Sequence, residues 1–168
     1  MQATDRRNEI FNLILNSNKP IKGIKIAEMF SVTRQIIVKD IAILRAAGKN
    51  IIATPEGYIY NNQENRIKAI IAVNHSEEDT IKELETIVKY GGIIEDVIIE
   101  HPLYGEIKTS LMIKNLHDLN NFINKFNHNK IKPLSNLTNG IHLHTISADN
   151  EEDIRLIKEE LEIRGFLL

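Results

Sequence analysis

A chain of 168 residues, 42% hydrophobic and 26% charged, has the composition of an ordinary globular protein, and no apolar run approaches the ~18 residues of a membrane helix, which excludes a helical membrane protein. The start, Met1-Gln-Ala-Thr-Asp-Arg-Arg-Asn, is polar where a secretory leader is apolar, and the absence of cysteine excludes disulfides and thiolate metal sites, so the expected compartment is the cytoplasm. The net charge of −2 argues against a protein that coats nucleic acid, but residues 1 to 65 carry nine Lys/Arg against six Asp/Glu (+3) and residues 66 to 168 carry twelve against seventeen (−5), so affinity for phosphate belongs to the first third.

In chain order, Thr4 to Ser17 reads as a helix with Ile10, Phe11, Leu13 and Ile14 on its apolar face, ended by Asn18-Lys19-Pro20. The stretch Ile26 to Leu44 reads as a short helix, a tight turn and a longer helix. Ile26, Phe30 and Val32 close the corner, small Ala27 lets the helices approach, and Ile37, Ile41 and Leu44 recur at helical spacing. Thr33 is placed to cap the second helix, which puts Arg34 and Gln35 in its first turn and Lys39 farther along the outward side. In a helix entering the major groove, Arg can bond bidentately to guanine and Gln to adenine, while Lys39 suits a phosphate. After the Gly48 stop, Asn50 to Tyr60 reads as a hairpin around Thr-Pro-Glu-Gly, so the unit is a winged helix-turn-helix over residues 1–62.

This segment resembles the winged-helix domains of biotin-repressor-like and DeoR-like regulators, in which an Arg near the start of the recognition helix, an Asp in its middle and a Leu four residues on recur; here these are Arg34, Asp40 and Leu44. Ser31 stands where many helix-turn-helix proteins place Gly, so a less sharply bent turn is expected.

Asn61 to Asn65 is a polar stretch and the expected boundary. From Arg66 strands and helices alternate: a strand to Val73, a helix opened by Ser76-Glu-Glu-Asp79 as a capping-box variant and stopped by Gly91-Gly92, and strands Ile93 to His101 and Leu103 to Ile113. A helix from Leu116 to His128, a strand Ile141 to Ile146, a helix Glu151 to Arg164 and an edge segment Phe166 to Leu168 follow. The fold class is α+β: a winged helix, then over residues 66–168 a β-α-β-β-α-β-α open sandwich, ferredoxin-like or histidine-phosphocarrier-like, between which element order does not choose.

His142-Leu-His144 is the sharpest chemical signal, because residues i and i+2 of a strand present two imidazoles on one face while Leu143 packs behind. His75, where the first strand gives way to its helix, can add a third ligand. Glu83 or Glu85, flanking the Ile81-Leu84-Val88 stripe on opposite sides, can add a fourth. Three imidazoles and a carboxylate suit one divalent transition ion per chain, zinc or nickel, over calcium or magnesium. His117 and His128 are expected to face solvent.

Asn74-His75, Ile99 to Ile107 (IEHPLYGEI) and Gly140 to Thr145 (GIHLHT) are similar to the signature segments of the three-histidine (3H) domain, which, fused behind a winged helix, defines the niacin-responsive transcriptional repressors. The resemblance spans nearly the whole chain. It implies a homodimeric repressor of NAD-synthesis or niacin-uptake genes that binds double-stranded operator DNA with nicotinic acid as co-repressor. It also implies a histidine-phosphocarrier-like sensor domain and a metal held by His75, Glu83, His142 and His144. His101 and Tyr104, in the second segment, are expected to help hold the effector. No catalysis is expected; the alternatives are a metal-dependent hydrolase and a phosphohistidine interaction module, each fused to the DNA-binding domain.

Overall fold

The computed structural model describes residues 2–61, 66–129 and 131–168 and falls into two compact units, 1–64 and 65–168. Apart from Asn61, the expected boundary stretch lies outside the described residues. No helix among the described residues is long and apolar enough to cross a membrane.

The first unit packs α1 (Ala3–Leu15), α2 (Gly23–Met29) and α3 (Arg34–Ala46) around Ile10, Ile14, Ile26, Ala27, Ile37, Ile41 and Leu44, with Phe30 and Val32 half-buried at the corner. Thr33 caps α3 by accepting the Ile36 N–H. Strands β1 (Ile51–Thr54) and β2 (Gly57–Tyr60) form the antiparallel wing, and Ile21 bridges to Tyr58 through two backbone hydrogen bonds of 2.9 Å. Gly57 is required there: at φ +132°, an added Cβ would stand 2.4 Å from the Ile21 carbonyl oxygen. Asp40, 1% exposed in the middle of α3, is paired with Arg6 at 2.7 Å and Arg7 at 3.6 Å, so the recurrent Asp ties the recognition helix to α1.

The expectation of a gentler turn at Ser31 is overturned. Ser31 takes φ +52°, the left-handed conformation a glycine would supply, because the Val32 N–H must reach back to the Ala27 carbonyl to end α2.

The second unit runs β3 (Ile67–Asn74), α4 (Thr80–Lys89), β4 (Ile93–His101), β5 (Gly105–Ile113), α5 (Leu116–Asn129), β6 (Ile141–Ala148) and α6 (Glu151–Ile163). The sheet order is β3-β6-β4-β5 and every neighbouring pair is antiparallel. The last strand, β6, is inserted between β3 and β4 and leaves β3 at the edge, whereas a ferredoxin-like sheet keeps its first strand inside, between the last and the third; the order is therefore that of the phosphocarrier-like open sandwich. Ile71, Val73, Leu84, Ile87, Ile94, Ile146, Ile157 and Leu161 fill the layer between sheet and helices, each contributing about 1.5–3 kcal/mol relative to exposure. The last residues pair with the outer edge of β3, with Leu167 opposite Val73, so the expected edge segment closes an otherwise open strand. The expected capping box does not form: Ser76 donates to the Asp79 carboxylate, Glu77–Asp79 make a 3-10 turn, and α4 begins only at Thr80.

Replacing Ser31 with Gly removes the left-handed penalty of ~1–2 kcal/mol at the expense of roughly 0.5–1 kcal/mol of unfolded-chain entropy. The expected result is a gain of up to ~1.5 kcal/mol in urea unfolding; Ser31→Val should lose stability, since a branched Cβ tolerates that region worst.

Candidate metal centre

Antiparallel pairing of β3 and β6 sets Val73 opposite His142 and Ile71 opposite His144, which turns both imidazoles toward the helices. There they meet α4, whose inward stripe is Thr80, Glu83, Leu84 and Ile87. Glu83 is 0% exposed in that apolar stripe, where an unpaired carboxylate would cost several kcal/mol. Glu85 points outward and pairs with Lys89 at 3.1 Å, which leaves Glu83 as the inward acid of the two.

His75 Nε2 lies 2.8 Å from Glu83 Oε2, His142 Nε2 lies 3.5 Å from the same oxygen, and His144 Nε2 lies 3.2 Å from Oε1. The three side chains are 2–3% exposed. The rings of His142 meet those of His75 and His144 edge to face, at 5.0 and 4.9 Å, and Phe166 closes the site against His75. His117 and His128 are exposed, as expected.

Each Nδ1 faces a backbone carbonyl: His75 that of Ser76 at 2.7 Å, His142 that of Gly140 at 2.9 Å, and His144 that of Asp96. A carbonyl only accepts, so every Nδ1 carries its proton and every neutral Nε2 is a bare lone pair aimed at a carboxylate. Acceptors facing acceptors need positive charge between them, either protons or a metal ion. Glu83 Oε1 and His144 Nε2, though 3.2 Å apart, are not aligned for a hydrogen bond, and both are buried without one.

These residues fit a transition metal. Ligand atoms of His75, Glu83 and His142 lie within 4.8 Å of one another, and ligands held at about 2.1 Å around a tetrahedral ion stand roughly 3.4 Å apart, close to the separations seen. The donor set of three imidazole nitrogens and one carboxylate suits an ion of intermediate softness.

Two supports were not legible in the sequence. Between Ile94 and Ile98, β4 carries one residue more than β6, a bulge that turns the Asp96 carbonyl toward the His144 ring. The Asp96 carboxylate, 3% exposed, accepts the Thr145 N–H at 2.8 Å and pairs with Lys108 at 3.0 Å. The second support is Gly140, at φ +94°, where an added Cβ would lie 2.4 Å from the His75 carbonyl oxygen.

Burial pushes the Glu83 carboxyl up, but the charge of His144 and contact with all three imidazoles outweigh it and hold the group well below the usual carboxylate range. For His75 and His144 burial pulls the other way, yet Glu83 wins, and both imidazoles hold their protons above the ordinary histidine value.

Beside His142 a cleft of about 720 Å³ opens, walled by Ile98, Glu100, Glu106, Ile141 and Leu143 and bordered by Pro102 and Gly105 of the β4–β5 turn. His101 and Tyr104 belong to that turn and are not brought into the cluster: His101 Nδ1 accepts the N–H groups of Leu103 and Tyr104, and the two rings lie 5.1 Å apart. In the first unit, Gln35, Val38, Lys39 and Ala42 form one exposed stripe of α3. Val38, which can meet a thymine methyl, is the member the sequence did not single out.

A family model of the 3H domain matches residues 68–168, and one of an HTH domain matches residues 6–59. The chain is 41% identical over 164 residues to a probable transcription repressor NiaR of Thermotoga maritima, covering 98% of this chain and 94% of that protein. It is 36% identical over 172 residues to the transcription repressor NadR of Bacillus subtilis, covering 100% and 96%. A more distant likeness, 26% over 140 residues, is to an uncharacterised protein of Methanothermus fervidus, of which 22% is covered. Both named relatives are regulators, not enzymes.

Gly140→Ala touches no ligand atom, yet it should lower transition-metal affinity by about 10–100-fold in a competition titration, the range for lost outer support of a ligand. An unchanged affinity would show that the Gly140 carbonyl does not fix His142.

The centre should also couple to pH. Imidazoles with raised folded-state values stabilise the metal-free fold below about pH 6.5 and lose that contribution as pH rises through the raised values. The lowered Glu83 contributes above about pH 4.3 and loses its share as pH falls toward its folded value. Thermal melts in chelator should therefore weaken as pH rises past the histidine range, while metal affinity rises because fewer protons compete. Parallel trends would contradict the assignment.

Proposed function

The chain belongs to the 3H-domain family, joined here to a helix-turn-helix domain, and from that membership we propose that it is a metal-containing repressor of NAD-biosynthesis or niacin-uptake genes with nicotinic acid as co-repressor. Residues 1–62 form the DNA-binding domain in this proposal and residues 66–168 the metal- and effector-binding domain, working as a homodimer in the cytoplasm, where the operator is. The observation that carries the sensor half is the convergence of three Nε2 lone pairs on one buried carboxylate. His75, Glu83, His142 and His144 would hold the ion, nickel or zinc; when bound, it supplies a Lewis-acidic centre for an anionic or pyridine-type ligand.

The cleft beside His142 provides the seat, with apolar Ile98, Ile141 and Leu143 against a flat ring and the turn of His101 and Tyr104 at its border. The effector acts only through a difference in affinity between two states. The favoured state sets the two recognition helices of the dimer, with Thr33, Arg34, Gln35 and Lys39 toward DNA, onto half-sites about one helical turn or a multiple apart. A hydrolase is disfavoured by the named relatives, and a phosphohistidine role by His101, whose Nδ1 is already engaged by two backbone amides.

The test replaces both His142 and His144 by Ala. Elemental analysis should find the metal gone, and gel shifts on promoters of NAD-synthesis genes should lose their sharpening by nicotinate. A double variant that responds fully to nicotinate would remove the centre from the switch.

A further inference from the structure

Arg34 opens α3, but its guanidinium does not point along the outward stripe of that helix. Its Nε lies 3.9 Å from where a Cβ on Gly23 would be, over the start of α2, and the Tyr58 ring lies 3.2 Å from the same point. Lys22 borders the same pocket, which has a volume of about 310 Å³. Among the described residues neither the Lys22 nor the Arg34 side chain has a hydrogen-bond or ion-pair partner, and both residues are exposed. Glu56 also lines the pocket, half-buried, so the two cations outnumber the one carboxylate.

The walls are fixed. The wing is stitched to Ile21 by the paired hydrogen bonds of Tyr58, Gly57 allows the backbones to touch, and Gly23 leaves room for the tyrosine ring. Two unpartnered cations of different shape, lining one pocket with the Tyr58 ring, match one tetrahedral anion better than a base edge: a guanidinium offers a fork, an ammonium a point charge, and a phenol hydroxyl a further donor.

We propose that Lys22, Arg34 and Tyr58 form a seat for a single phosphodiester of the DNA backbone, which makes Arg34 a positioning residue and leaves base reading to Gln35 and Val38. This departs from the guanine contact expected from the sequence, and it rests on the proposed DNA-binding function. A phosphate gripped at the junction of α2, α3 and wing would set how deeply α3 enters the groove without carrying sequence information.

The experiment measures the wild type, Lys22→Ala, Arg34→Ala, Arg34→Lys, Tyr58→Phe and Gln35→Ala on two duplexes: one recovered from a random pool by selection with the wild type, and one of random sequence. Binding is followed from 50 to 200 mM salt, with thermal melts as the folding control. Lys22→Ala and Arg34→Ala should each weaken both duplexes by the same factor and reduce the salt slope by about 0.9, so that the wild-type advantage shrinks about threefold across that range. Arg34→Lys should keep the slope, Tyr58→Phe should weaken both duplexes equally without changing it, and Gln35→Ala should narrow the preference for the selected duplex.

A loss by Arg34→Ala confined to the selected duplex, or a loss of selectivity in Arg34→Lys, would return Arg34 to base reading and overturn the seat. Unchanged slopes for Lys22→Ala and Arg34→Ala, with the wild type binding, would overturn it as well. Failure of the wild type to bind either duplex would instead overturn the DNA-binding function on which the seat rests.

Discussion

A carboxylate with no access to solvent, facing three imidazole nitrogens that when neutral can only accept, is the constraint on which the second unit depends. Glu83 occupies a position on α4 where packing alone would favour leucine. Buried charges of this kind rarely add net stability, since desolvation consumes most of the attraction. Retaining one in the core, ringed by groups whose protons are already committed to backbone carbonyls, makes sense when a cation is to be held. Without metal the site can relieve itself by protonating imidazoles; with metal the same lone pairs become ligands.

The surrounding backbone bends to maintain this arrangement. The bulge in β4 brings the Asp96 carbonyl to His144, and the Asp96 carboxylate replaces part of the interrupted ladder by taking the Thr145 N–H. Asn139 at φ +52° and Gly140 at φ +94° turn the chain so that the Gly140 carbonyl faces the His142 ring. These are two departures from regular strand geometry, each next to one of the histidines, and each fixes a tautomer. Irregularities concentrated at one place are where local preference gives way to function.

The parts of this site that follow a short period could be read without coordinates. The i, i+2 rule placed His142 and His144 on one face, and the end of a strand placed His75 beside them. Glu83 was harder. Centring the α4 stripe on Ile81, Leu84 and Val88 put Glu83 and Glu85 symmetrically on its flanks. The buried residues are Thr80, Glu83, Leu84, Thr86, Ile87 and Val88, so the inward face keeps Leu84 and Val88 but is turned toward Glu83 and Ile87, leaving Ile81 and Glu85 half-buried. Ser31 was misjudged for a related reason: residue preference favours Gly, but the hydrogen bond from Val32 back to Ala27 forces the same backbone on Ser. Register shifts such as the β4 bulge leave no mark in composition, and the role of Asp96 rests on one.

Under the proposed function, arithmetic limits which part of the effector site does the switching. Moving an equilibrium from about 1:99 to 99:1 requires a ligand to favour one state by roughly 5.5 kcal/mol, and a small ligand of micromolar affinity gains only about 8 kcal/mol in all. Most of its binding must therefore be made in one state and missing in the other. The metal centre is poorly suited to supply that difference, because its four side chains are buried and every histidine is anchored through Nδ1. The β4–β5 turn borders the cleft through Pro102 and Gly105, and its tip is open to solvent, with Leu103 75% and Tyr104 74% exposed. In that proposal a rigid centre would fix one end of the ligand and an exposed turn would meet the other: the first would set affinity common to both states, and the second the difference between them.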